Sequence, residues 1–294
     1  MAESVSERER RVPFKRKQRA IIKKVVIYFF MVFMLVFFLF PYYYMINISL
    51  MPALESNDLP HFWPRQLSLE GYRYALNAEL LRYLWNTIYV VVFNCIATPL
   101  SASLCAYGFT KIKFQGRGTL FGIVLATMML PAIVVQIPLF VIFTKLGWIN
   151  TLNPITIPSL FGGGATNIFL LRQFMKGVPN DLLNAAKIDG AGSFRIYWNI
   201  MVPLCLPILI FVTVQTFLGV WNDFMGPLLY LKSQDTYTLA IGIYQRFMGS
   251  LSSVENYPNV RMAIGVLMSV PPAIIFFIFQ KQLIEGVTMS GLKG

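Results

Sequence analysis

The sequence predicts an all-α membrane protein with six transmembrane helices. Three observations carry that reading. Of the 294 residues, 56% are hydrophobic and 13% charged, whereas a soluble domain carries about 25% charged residues. Six stretches approach the ~20 apolar residues that one bilayer crossing needs. The Lys and Arg residues are also distributed unequally between alternate connecting segments.

The first apolar stretch, residues 25–46, follows a basic tail that holds 9 of the 25 Lys and Arg. It is too long for the apolar part of a cleavable leader, and no small-residue cleavage site follows, so it is expected to remain as a span. The second stretch, 85–109, contains Asn94 and Pro99. The third, 119–143, contains Pro131 and Pro138. The fourth, 152–171, is the weakest, interrupted by Pro154, Pro158 and the run Gly162-Gly163-Gly164. The fifth is 201–221 and the sixth 262–280. Interior prolines break a soluble helix, but in a bundle neighbouring helices satisfy the freed carbonyls. The Gly run is read as helix packing or a kink.

With the N-terminus in the cytoplasm, the inside segments hold 18 Lys and Arg and the outside segments 7. The positive-inside rule then places both termini in the cytoplasm of a multi-pass inner-membrane protein. The expected organisation is a cytoplasmic tail at 1–24, a first helix and external loop at 25–84, a core of five helices at 85–280, and a cytoplasmic tail at 281–294. The external segments 47–84 and 222–260 are rich in aromatic and polar residues, including His61, Trp63, Trp85 and Tyr257. Such loops suit either a docking partner or anchoring at the membrane interface.

Several classes are disfavoured. Cys95, Cys105 and Cys205 lie in apolar stretches without C-x-x-C spacing, which argues against a disulfide framework or zinc site. No span holds a central Asp, Glu, Lys, Arg or His. That weakens proton-coupled carriage and intramembrane hydrolysis. No G-x-x-x-x-G-K-[ST] sequence is present for nucleotide phosphates. The net charge of +12 is concentrated before the first span, which fits a membrane anchor rather than nucleic-acid binding. Four polar residues in or beside spans, Asn94, Gln136, Gln215 and Asn222, are candidates either for a substrate pathway or for hydrogen bonds between helices.

The internal loop 172–200 is the most informative segment. Asn180 or Asp181 can cap a short helix after Pro179, and Gly190 can end it in the left-handed conformation. Leu182, Ala185, Ala186 and Asp189 share a face by 3/4 spacing. Ser193 can cap a second helix, 194–200, that runs into Pro203 and the fifth span. A short helix held between two turns suits a soluble domain that grips and pushes it. It also suits a helix resting on lipid.

Asn184-Ala185-Ala186-Lys187-Ile188-Asp189-Gly190-Ala191, then Ile200-Met201-Val202-Pro203 and Pro207, resembles the EAA loop of ATP-binding-cassette importer permeases. Trp221-Asn222-Asp223-Phe224, Pro227-Leu228-Leu229, Glu285-Gly286-Val287-Thr288 and the ending Leu292-Lys293-Gly294 are similar to the carbohydrate-uptake branch, the maltose-type second permease in particular. The resemblance covers residue 85 to the end. It implies the type I importer architecture, with a cytoplasmic coupling helix carried by Asn184, Ala185, Ala186, Asp189, Gly190 and Ala191, and a tail in which Lys293 and Gly294 contact the ATPase. It further implies a second permease subunit, two ATPase subunits holding ATP and Mg, an external sugar-binding protein, and no cofactor or catalytic residue on this chain. Oligosaccharides are the expected cargo, with acidic uronate oligosaccharides or glycerol phosphate as alternatives. The family's leading Glu is Asn184 here, which keeps hydrogen bonding but loses the charge.

Overall fold

The computed structural model describes residues 14–58, 60–76, 78–247 and 258–291. Every regular element among them is helical. In chain order these are α1 (Phe14–Ser49), α2 (Ala53–Asn57), α3 (Glu70–Ala75), α4 (Ala78–Lys111), α5 (Arg117–Thr127), α6 (Ala132–Lys145), α7 (Asn153–Thr156) and α8 (Ala165–Lys176). They continue with α9 (Asn180–Ile188), α10 (Ser193–Ile196), α11 (Val202–Leu204), α12 (Leu206–Trp221), α13 (Met225–Tyr230), α14 (Leu239–Phe247) and α15 (Pro258–Gly291). A 3-10 turn, Ile157–Leu160, follows α7, and a π-helical segment, Tyr197–Met201, joins α10 to α11.

Four stretches are long and apolar enough to cross a bilayer: Ile21–Ser49, Glu79–Lys111, Asn153–Lys176 and Pro258–Leu283. Two bent pairs complete six spans. α5 and α6 meet at 101°, and Ser193–Leu204 meets α12 at 78°. The six predicted runs all fall on these elements, but the third and fifth are sharply broken. At the first break, Pro131 lacks an N–H and disfavours helical backbone in the residue before it.

The chain divides into two compact units, residues 1–75 with 257–267 and residues 76–256 with 268–294. In the first, α3 lies flush on the start of α15. A Cβ at Gly71 would sit 2.8 Å from the Asn259 carbonyl oxygen. The fully buried Asn259 amide donates to the Met51 carbonyl at 3.0 Å, and Ser68 N–H donates to the Leu50 carbonyl at 2.8 Å. Tyr43 Oη donates to the Phe62 carbonyl at 2.8 Å, with Trp63 edge-on to the Tyr43 ring.

In the second unit, α4 packs along α8 and α12. Between α7 and α8 the chain unwinds at Gly162, Gly163 and Gly164, all at positive φ. Gly163 lets this break touch α4, because a Cβ there would lie 2.7 Å from the Thr98 carbonyl oxygen. Asn167 Nδ2 donates to the Gly163 carbonyl at 2.7 Å, which pairs one backbone group that the break exposes. Pro272 of α15 is handled similarly. Pro272 cannot donate to the Met268 carbonyl, and Trp221 Nε1 donates to it instead at 3.1 Å.

Candidate functional site

The loop between α8 and α12 starts at Val178-Pro179. Pro179 occupies the cap position in extended backbone, and α9 begins at Asn180 without a side-chain cap. Asn180 therefore does not cap the helix through its side chain as the sequence suggests. Its Oδ1 accepts from Lys111 Nζ at 3.0 Å, and the same ammonium donates to the Val178 carbonyl at 2.7 Å. Asp181 sits in the first turn, where its charge complements the helix dipole, and Lys187 in the last.

α9 ends as the sequence predicts. Gly190 has φ +80°. Its N–H donates to the Lys187 carbonyl at 3.0 Å, and Ala191 N–H donates to the Ala186 carbonyl at 2.9 Å. These two bonds form a Schellman stop. A residue with a Cβ is strained there, although nothing lies within 4 Å of where that Cβ would sit.

The expected shared face of Leu182, Ala185, Ala186 and Asp189 is divided in the structure. Leu183 is 5% exposed and inserts into the core, with Ala186 and Ala191 packed beside it. It joins a buried cluster that includes Tyr107, Leu171, Met175, Ile196, Tyr197 and Met201. Leu182, Asn184, Ala185, Ile188 and Asp189 are exposed, Ile188 at 86%. One side of α9 is thus seated on the bundle, and the other presents small and apolar side chains outward. Ala186 belongs to the seat because it lies one turn after Leu183.

The remainder of the loop is anchored by hydroxyls. Ser193 begins α10, after Gly192 in the cap position, and supplies no side-chain cap. Its carbonyl accepts from Tyr107 Oη at 3.1 Å. The buried Tyr197 hydroxyl pairs with Ser103 Oγ at 2.8 Å. The predicted second helix over 194–200 is a short α-turn followed by π-helical backbone, broken at Cys205. Arg172 lies 3.8 Å over the Phe121 ring and donates to the Phe109 carbonyl at 3.4 Å, joining α4, α5 and α8 beneath the loop. Lys111, Tyr107 and Arg172 carried no signal in the local sequence pattern, since each acts on a residue more than 60 positions away.

The four polar candidates of the spans separate. Asn94 is buried and donates to the carbonyls of Val90 at 2.8 Å and Ile155 at 2.9 Å, so it ties α4 to α7. Gln136 is half-buried on α6. Gln215 and Asn222 are both exposed and seven residues apart, hence on one face of the α12 end, with Asn222 donating to the Leu218 carbonyl at 2.8 Å. Beyond α12, Asp223 Oδ1 accepts from Gly226 N–H at 3.1 Å at the start of α13. Burial pushes its carboxyl above the usual range, against the opposing backbone N–H groups of Gly226 and Met225. Lys293 and Gly294 lie outside the described residues.

At the other end of α4, the segment after α13 is fastened by several polar contacts. Arg82 pairs with Asp235, and Glu79 with Arg246. Asn86 Nδ2 donates to the carbonyls of Asp235 and Tyr237, each at 2.9 Å. Asn150, at φ +64°, accepts through Oδ1 from the N–H of Lys232 and Ser233 and from the hydroxyls of Ser233 and Thr236.

Residues 98–288 match the family of binding-protein-dependent transport system inner membrane components. The chain is 31% identical over 261 residues to the arabinooligosaccharides transport system permease protein AraQ of Halalkalibacterium halodurans, covering 87% of this chain and 91% of that protein. It is 27% identical over 276 residues to the maltose/maltodextrin transport system permease protein MalG of Photorhabdus laumondii, with the same coverage. Its fold is similar to a chain of a bacterial transporter that imports the acidic polysaccharide alginate, with a TM-score of 0.78, 23% identity, and 92% and 98% of the two chains covered. A chain of the MetNI methionine transporter, seen in inward-facing conformations, aligns with a TM-score of 0.52 at 17% identity over 74% of this chain. The helical fold is therefore that of a type I importer permease, and the chain belongs to the family of binding-protein-dependent transport system inner membrane components.

Proposed function

We propose that this chain is one of two membrane-spanning subunits of an importer for oligosaccharides, and that α9 is the helix through which a partner ATPase drives it. The observation that carries the reading is the two-sided character of α9. It is bolted to the bundle by Leu183, Ala186 and Lys111 and closed by the Gly190 stop, while Asn184, Ala185 and Ile188 face outward. A helix so mounted passes on a push as rigid-body motion, because packed interfaces switch between discrete arrangements rather than deform. Asp189, Gly190 and Ala191 form the turn that limits its length.

ATP and Mg reside on two partner ATPases, which hydrolyse the nucleotide; the C-terminal Lys293 and Gly294 contact them. A homologous permease completes the pathway, and an extracytoplasmic protein delivers the sugar to the segments 47–84 and 222–260. Both termini lie in the cytoplasm, as the Lys and Arg asymmetry supports. The tail 1–24, the segment 25–84, the core 85–280 and the tail 281–294 serve as anchor, first span with external loop, transport core and ATPase contact. Gln215 and Asn222 line the pathway from α12, with Gln136 as a further candidate. Asn94 serves as a tie between helices.

Oligosaccharide cargo is supported by the relatives named for arabinooligosaccharides and maltodextrin. Arginines in the external segments, Arg65, Arg73, Arg82 and Arg246, would suit an anionic cargo. Two of these, Arg82 and Arg246, are neutralised by Asp235 and Glu79, which favours the uncharged class.

The test uses the reconstituted complex in liposomes, with ATP hydrolysis measured with and without sugar-loaded binding protein. Gly190→Pro removes the N–H that closes onto Lys187 and cannot adopt φ +80°. Stimulation in the wild type and its loss in the assembled variant are expected. Failure of the chain to co-purify with an ATPase, or unchanged stimulation in the variant, overturns the reading.

A further inference from the structure

We infer that α4 is the rod that carries motion between α9 and the segment 231–247, with Tyr107 and Lys111 as the positioning residues at one end and Arg82 and Asn86 at the other. The inference rests on α9 being the coupling helix and adds the route by which its motion leaves the ATPase side.

Tyr107 and Lys111 are one turn apart, on one face of α4. Tyr107 Oη donates to the Ser193 carbonyl, beyond the end of α9, at 3.1 Å. Lys111 Nζ donates to the Val178 carbonyl and Asn180 Oδ1, at the start of α9, at 2.7 and 3.0 Å. The last turn of α4 therefore brackets the coupling helix at both ends. A helix held at one end can pivot about it; a helix held at both must carry its holder along.

The first turns of α4 hold 231–247 as firmly. Arg82 pairs with Asp235, and Glu79 with Arg246. Asn86 donates to the carbonyls of Asp235 and Tyr237, and Leu239 N–H donates to Thr87 Oγ1 at 2.7 Å. The 34 residues of α4 span about 51 Å at 1.5 Å per residue. Both grips thus sit on one helix, about a membrane thickness apart.

The weak point of such a rod is Pro99, which removes one internal hydrogen bond. The structure splints it. Asn94 donates to the Ile155 carbonyl, Ser101 Oγ to the Ser159 carbonyl at 2.7 Å, and the break at Gly163 lies against the Thr98 backbone. The competing route, through α10 and α11 into α12, contains π-helical backbone and the 78° bend at Cys205. Of the two paths, only α4 is continuous helix.

Proximity along a helix does not by itself demonstrate coupling, so the test reads transmission directly. The complete importer in lipid nanodiscs is compared by hydrogen exchange with and without ATP and vanadate. Peptides covering 180–191 and 231–247 are followed in the wild type, in Lys111→Met with Tyr107→Phe, and in Lys111→Arg. The wild type is expected to respond in both peptides. The double variant keeps the response at 180–191 and loses at least threefold of that at 231–247, while Lys111→Arg retains both. A full response at 231–247 in the double variant overturns the inference but leaves the coupling helix in place. No wild-type response at 180–191 overturns the coupling-helix reading, and this inference with it. Should the double variant not assemble, Arg82→Gln with Asn86→Ala reads the reverse direction. The binding protein's stimulation of ATP hydrolysis then falls at least threefold, and undiminished stimulation overturns the role of α4.

Discussion

Two glycines with the same backbone demand but different surroundings separate strain from packing. Gly163 and Gly190 have φ of +61° and +80°, where an L-residue is disfavoured by roughly 1–2 kcal/mol. At Gly190 that is the whole penalty of an alanine, since a Cβ meets nothing within 4 Å. At Gly163 the Cβ falls 2.7 Å from the Thr98 carbonyl oxygen, 2.8 Å from its Cγ2 and 3.0 Å from its Cα. Two of these atoms are backbone in α4, so relief requires the helix itself to move, and overpacking adds about 1–3 kcal/mol. Gly163→Ala is therefore expected to cost about 2–5 kcal/mol and Gly190→Ala about 1–2. The assay is unfolding of each variant by SDS in mixed micelles, followed by near-ultraviolet circular dichroism. Equal losses at the two sites, or a Gly163→Ala protein within about 0.5 kcal/mol of wild type, refute the close contact between the break and α4.

Other substitutions probe other contacts. Asp223 has its folded pKa raised by burial, so the folded state binds its proton more tightly. Its stability contribution is full below the unfolded value of about 4 and is lost as pH rises through the folded one. Asp223→Asn keeps an acceptor for Gly226 N–H, and it should be more stable than wild type at pH 8 and no more stable at pH 4 in thermal melts across pH. Arg172→Lys removes the planar group stacked on Phe121 and should lower stability by about 0.5–2 kcal/mol in the same micellar assay. Asn150→Ala strips four donors of their shared acceptor, whereas Asn150→Asp keeps it. Limited proteolysis between residues 231 and 237 should accelerate several-fold in the first and stay near the wild-type rate in the second.

The elements most legible in the sequence were those set by local chemistry. Six apolar runs gave six spans because bilayer thickness fixes length, and Gly190 stopped α9 because the left-handed position excludes most other residues. What stayed hidden depended on distant partners. Spacing alone grouped Ala186 with Leu182, Ala185 and Asp189, because those four residues lie within one arc; which edge of the arc is buried was decided by Leu183 meeting the bundle core. Asn180 looked like a cap, yet Lys111, 69 positions earlier, takes its side chain. Asn150 was unremarkable among loop residues, although it organises a turn more than 80 positions later. Prolines advertised kinks, but whether one bends a span by 101° or sits within a continuous α15 depends on what meets the freed carbonyl, as Trp221 does for Met268.

The apolar part of α1 has a bearing on biogenesis. Over its most apolar 18 residues nothing is buried against the rest of the described chain. Phe, Val, Leu and Ile dominate that stretch, and each favours the bilayer centre by roughly 0.3–0.6 kcal/mol on insertion scales. This helix can therefore partition into lipid on its own sequence, before any later span has left the ribosome. The glycine-interrupted fourth span, with a mean hydropathy of 1.2 against 2.5 for this stretch and part of its length buried against the bundle, relies more on neighbours such as α4 already being in place.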